Sequence, residues 1–138
     1  MGLLGVSLVA HAVPPPPKWP ARIAGAEVIL VGEVRQWKRA SWFWQAERVY
    51  EGSVHVERVL KGSVSGPDVP LRVIVHPEGV GGDLSHEPRT GRFAYFLVHA
   101  PDGSLTLSTP QVYAYQALSS DELAALEAAL PATDPGGR

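Results

Sequence analysis

Three of the four tryptophans in this chain fall between positions 37 and 44. Trp37, Trp42, Phe43 and Trp44 are interleaved with Lys38, Arg39, Gln45, Glu47 and Arg48. Aromatic rings beside cations suit three tasks. They fill a core, because indoles bury a large apolar area. They anchor a protein interface, where Trp, Tyr and Arg concentrate binding energy. They stack bases or sugar rings while the cations meet phosphates. The stretch joins two strand-like runs rather than lying inside one, and charged neighbours flank it. Trp37, Arg39, Trp42, Phe43, Trp44 and Arg48 therefore form the candidate binding set, with core packing and nucleic-acid stacking as the other readings.

Other residue types offer less. Histidines 55, 76, 86 and 99 are the candidate metal ligands, with Glu57, Asp83 or Glu87 as helpers. His55 and Glu57 stand two apart on a strand, so both side chains point to one face. His76 and His99 merely end strand-like runs and His86 falls in a loop, so solvated surface histidines are expected and no metal site is assigned. Asp83 and Glu87 imitate a carboxylate pair for acid–base work, without a pocket pattern around them. The run Gly79-Val80-Gly81-Gly82 is followed by no helix pattern, so it reads as a loop and not as a phosphate cradle. The chain holds no Gly-x-Ser-x-Gly, no Gly-x-x-x-x-Gly-Lys-Ser/Thr and no His-Glu-x-x-His. No catalytic residue and no cofactor is assigned, and a non-enzymatic role is expected.

Composition bounds the setting. The 138 residues include 14 Gly, 13 Pro and no Cys. That length favours one domain. Cysteine-free composition excludes disulfides, thiolate metal sites and a cysteine nucleophile. A formal net charge of −2 supplies no global field toward nucleic acid or anionic lipid, so nucleic acid is not the expected partner. Residues 2–10 are apolar and uncharged, Ala10-His11-Ala12 follows, and Pro14–Pro17 come next. An apolar run ending at an A-x-A site is the secretory pattern. The run is shorter than the roughly 20 residues that span a bilayer. Residues 1–12 are read as a signal remnant, with an apolar strand or tail as the other reading. Residues 13–21 are read as a Pro-rich linker, and the compartment as periplasmic or secreted.

The elements that must position these groups come from periodicity. In residues 23–35, Val28, Leu30, Gly32 and Val34 share one face, and Ile29 and Val31 cover the middle of the other. Gly32 predicts a bend, a bulge or a close approach of another backbone. Residues 36–49 read as a hairpin arm or a short helical insert. Tyr50–Lys61 alternates, with Val54, Val56 and Leu60 inward and Arg58 and Val59 breaking the pattern. Val69, Leu71, Val73 and Val75 define a third strand. The run from Phe93 to Val98 is apolar throughout and predicts a buried fourth, and Leu105–Leu107 a short fifth. Ser119 and Glu122 fit a capping box before Leu123, Leu126 and Leu130, which predicts a helix over 120–130, stopped by Pro131. Residues 132–138 read as a disordered tail. The architecture expected over 22–131 is mainly β: a five-stranded OB-type Greek-key barrel with a C-terminal α-helix. Its interior is expected to hold Val28, Leu30, Val34, Val54, Val56, Leu60, Leu71, Val73, Phe93, Tyr95 and Leu97, with the helix over an open seam.

Three segments carry a family resemblance. They are Ala26-Glu27-Val28-Ile29-Leu30-Val31-Gly32-Glu33-Val34, Val54-His55-Val56-Glu57-Arg58-Val59-Leu60-Lys61-Gly62 and Gly91-Arg92-Phe93-Ala94-Tyr95-Phe96-Leu97-Val98. Their order and spacing over roughly residues 22–110 resemble the tissue-inhibitor-of-metalloproteinases-like, or netrin-like, superfamily, and most of all its secreted bacterial members. The resemblance implies a five-stranded OB-type barrel with helices at its side. Animal inhibitors of that family chelate the protease zinc through a mature N-terminal cysteine. This chain has none, so no inhibitory residue carries over, and fold alone implies function only faintly. The resulting expectation is an exported, non-enzymatic interaction module that contacts a protein through the aromatic stretch. The alternatives are a cysteine-independent metalloprotease-inhibitor-like protein and an OB-type binder of nucleic acid or oligosaccharide.

Overall fold

Alternation of β-branched and long apolar residues produces strands, and here it produces a closed barrel. The computed structural model describes residues 18–40, 48–76 and 83–131. The strands are β1 (Val28–Arg39), β2 (Arg48–Lys61), β3 (Asp68–Val75), β4 (Gly91–His99), β5 (Leu105–Leu107) and β6 (Tyr115–Gln116). They run in the order β1-β2-β3-β5-β4, and β4 pairs back onto β1 to close the ring. All neighbours are antiparallel except β3 and β5, which meet in parallel at Leu71 and Leu105. This is the expected five-stranded OB-type barrel. A sixth short strand, β6, pairs with Ala94 and Tyr95 of β4.

The interior holds Val28, Leu30, Val34, Val54, Leu71, Val73, Phe93, Tyr95 and Leu97, joined by Trp37, Tyr50, Val75, Leu107 and Tyr115. β3 shows the cleanest alternation, each inward residue buried and each outward residue exposed. Gly32 takes the close approach that its position predicts: a Cβ there would lie 2.5 Å from both the His55 carbonyl oxygen and Val54 Cγ1. The Phe93 ring meets Tyr95 and Tyr115 edge-on at centroid distances of 6.0 and 5.1 Å. Such edge-to-face contacts align ring edges with the electron-rich faces. The Tyr95 hydroxyl is buried and, among the described residues, has no hydrogen-bond partner. That burial pushes its phenol well above the usual tyrosine range.

A second apolar layer lies outside the barrel. Ile29, Val31, Ala94 and Phe96 point away from the interior and are covered by Ile23, Ala26 and Leu126. The covering residues come from two helices, α1 (Trp19–Ala24) and α2 (Ser120–Ala129), and the turn after α1. β1 and β4 are therefore buried on both faces, which explains the unbroken apolar run of β4. α2 begins with the expected capping box, in which Ser119 and Glu122 satisfy each other's backbone N–H groups.

Three expectations change. The linker assigned to 13–21 gives way at Trp19 to a helix, because Pro20 sits in its first turn, where a missing N–H costs nothing. The C-terminal helix does not cover an open seam: β1 pairs with β4 from Val28–Leu97 to Val34–Gly91, and α2 packs on the outside of that pair. Leu60 packs against this outer layer rather than inside, and Val59 is 40% exposed. The register shift between Val31 and Gly32 inserts one extra β2 residue, which sends the even positions beyond it outward, and the shift between Ile29 and Leu30 leaves Leu60 itself as the extra residue. The signal remnant at 1–12 and the tail at 132–138 lie outside the described residues.

Candidate functional site

The β1–β2 ribbon positions the candidate binding set. β4 leaves β1 after Val34, whereas β2 stays paired with it to Arg39 and Tyr50. One further bond, from Ala40 N to the Val49 carbonyl at 2.7 Å, extends the pairing to the residues flanking 41–47. The chain thus leaves the described fold at Ala40 and re-enters it at Arg48 on paired antiparallel strands. Lys38 and Arg39 are exposed on the outgoing strand and Arg48 is half-buried on the returning one. Trp42, Phe43 and Trp44 lie outside the described residues.

Trp37 departs from the rest of the set. It is only 7% exposed and belongs to the barrel core. Its indole N–H donates to the Arg89 carbonyl at 3.0 Å, and its ring lies over Gly52. A Cβ at Gly52 would come within 2.7 Å of Trp37 Cε3. The reason is a bulge. Val34 faces Val54 and Trp37 faces Gly52, so β1 uses one residue more than β2 across that step. Arg35 and Gln36 are both exposed there, and the inward phase moves from even to odd positions. Strict alternation from Val34 would send Trp37 outward; the bulge turns it in. Trp37 is accordingly a core residue and not a contact residue.

Arg89 completes that end of the barrel. Its guanidinium carbon lies 4.9 Å from the Phe93 ring and 5.2 Å from the Tyr115 ring. Its backbone N–H donates to the Tyr115 hydroxyl at 3.0 Å. The segment before β4 is held against the interior aromatics by these contacts. Sequence offered no sign of this role, because Trp37 and Arg89 are 52 positions apart.

The outer face of β1, β2 and β3 carries rows of alternating charge. One row runs from Lys38 through Glu51 to Arg72, by strand register, and Arg72 reaches Asp102 at 3.6 Å. The Ser104 hydroxyl and N–H hold the Asp102 carboxyl below the usual range. A second row sets Glu33 beside His55 and His55 beside Asp68, with His55 Nδ1 at 3.2 Å from Asp68 Oδ1. Glu33, Arg35, Gln36, Ser53, His55 and Asp68 line a shallow groove of about 460 Å³ on this face. Ser53, His55 and Asp68 are the residue types of a nucleophile triad, but only the His–Asp contact is made among them. A serine activated by His55 would need that second hydrogen bond.

The candidate metal ligands do not converge. His55 pairs with Asp68, His99 sits 3.1 Å from Glu27 Oε1, and Glu57 pairs with Arg92 at 2.7 Å. Among the described residues no three His, Asp or Glu side chains are grouped to hold a metal ion. Also among the described residues, no helix is long and apolar enough to cross a membrane. No protein-family model matches the chain, and no curated protein matches it.

Proposed function

We propose that this chain is an exported, non-enzymatic binding module of netrin-like type that contacts a protein partner through the end of its β1–β2 ribbon. The observation that carries the reading is the ribbon itself. Its backbone pairing continues past the end of the β1–β4 pairing and brings Lys38, Arg39 and Arg48 to the base of the segment containing Trp42, Phe43 and Trp44. Cations beside aromatics are the composition of an interface hot spot. The barrel face beside it alternates in sign, so it supplies no continuous cationic track for a phosphate backbone. That favours a protein partner over a nucleic acid. The short apolar run and A-x-A site near the N-terminus support export.

The test separates contact residues from core. Trp42→Ala with Trp44→Ala is expected to leave the melting temperature nearly unchanged, whereas Trp37→Ala costs about 3–5 kcal/mol. A comparable loss in the double variant would place those tryptophans in packing and remove the proposed contact. Salt-sensitive binding of a labelled oligonucleotide by the wild type would assign the face to nucleic acid instead.

A further inference from the structure

Arg22 occupies an unusual setting for a cation. It lies in the last turn of α1, is half-buried, and stands 4.6 Å from the Trp19 ring and 4.5 Å from the Phe96 ring. One of its N–H groups donates to the Tyr113 carbonyl in the 3₁₀ turn at Gln111–Tyr113. Among the described residues, no carboxylate comes within ion-pair distance of it. Burial lowers its pKa from the ordinary arginine value, the sign that its charge lacks full solvation. A partly desolvated cation without a counter-charge is costly, and an anion beside it offsets that cost.

The guanidinium also lines a cleft of about 240 Å³ between α1 and the 3₁₀ turn. Phe96, Pro110 and Ala21 give the cleft apolar walls, and Ser108 and Thr109 bring hydroxyl groups. We propose that this cleft binds a compact organic carboxylate, with Arg22 gripping the carboxylate and the Phe96 and Pro110 walls taking its apolar body. The planar guanidinium fork matches the two oxygens of a carboxylate, and one N–H bond to Tyr113 leaves other donors for the ligand. A doubly charged phosphate would find a single cation and apolar walls, a poor match for its charge. The volume falls below the roughly 300–1,000 Å³ of sites for drug-sized ligands, so the ligand is a single ring or a short chain. None of the residues lining this cleft belongs to β1 or β2, so the site does not depend on the contact proposed at the ribbon end.

The experiment is an NMR titration of the ¹⁵N-labelled full chain with sodium benzoate, benzamide and inorganic phosphate. Benzoate is expected to shift the Arg22 Nε–H and the Thr109 amide saturably, with affinity at least about tenfold above that of benzamide. Phosphate is expected to produce no saturable shift at those groups. R22Q should weaken benzoate by about tenfold or more. Because R22Q also gives up the bond to Tyr113, A21L is the second variant: it fills the cleft, keeps the guanidinium, and should abolish benzoate binding with the barrel resonances in place. Equal binding of benzamide, equal shifts with phosphate, no saturable response to benzoate, or undiminished binding by a folded A21L would each overturn the proposal.

Discussion

Gly52→Ala tests the way β1 turns Trp37 into the barrel. The added Cβ would lie 2.7 Å from Trp37 Cε3 and 3.0 Å from Cζ3, closer than carbon atoms tolerate. The indole must move, and its position is fixed at the far end by the 3.0 Å bond to the Arg89 carbonyl. Overpacking of this kind costs about 1–3 kcal/mol. Loss of the indole bond adds about 0.5–1.5 kcal/mol. Alanine regains about 0.5–1 kcal/mol over glycine in a strand, since it loses less backbone freedom on folding. The net expectation is a destabilisation of about 0.5–4 kcal/mol. Urea unfolding measures it, and the indole N–H resonance of Trp37 reports whether the bond to Arg89 is lost. Trp37→Leu made in the Gly52→Ala background should cost less than it does in the wild type, because the clash is already relieved. A Gly52→Ala variant as stable as the wild type, with an unshifted Trp37 indole resonance, would refute the packing argument.

Other outcomes follow from the outer layer and from one carboxylate. Leu126, fully buried beneath α2, should cost about 2–5 kcal/mol on replacement by Ala, measured by urea unfolding; a loss under about 1 kcal/mol would mean that α2 does not share the cooperative core. Glu27 accepts the His99 backbone N–H and sits beside the His99 ring, which holds its carboxyl below the usual range. Its folded pKa lies below the unfolded one, so its contribution is complete above the ordinary carboxylate pKa of about 4.3 and fades as pH falls through the folded value. The stability gap between wild type and Glu27→Gln should therefore be widest near neutrality and shrink in acid; a gap that stays constant with pH would contradict this.

Most strands were legible because their physics is local. The alternation in Val69, Leu71, Val73 and Val75 says which face is buried whatever surrounds it, and the unbroken run from Phe93 to Val98 says that both faces are. Ser119 and Glu122 mark the start of α2 by satisfying each other's backbone groups within one turn. What stayed hidden depends on partners far along the chain. Trp37 read as a contact residue because the bulge at Arg35 and Gln36 appears only once β1 is laid against β2. Leu60 reads as interior for the same reason, the extra β2 residue opposite Val31 and Gly32 having changed its phase. The helix at Trp19 was masked by the prolines before it, although Pro20 is well suited to a first helical turn. The setting of Arg22 has no local signal, since its partner Tyr113 stands 91 positions away.

The central claim is that the ribbon end carries the contact, and parallel capture tests it most directly. Tagged wild-type chain and the Trp42→Ala/Trp44→Ala variant would be used on the native envelope fraction, with bound proteins identified by mass spectrometry and both chains checked for equal melting temperature. The account predicts a specific protein enriched by the wild type and lost with the variant. The same protein recovered equally by both chains would contradict it.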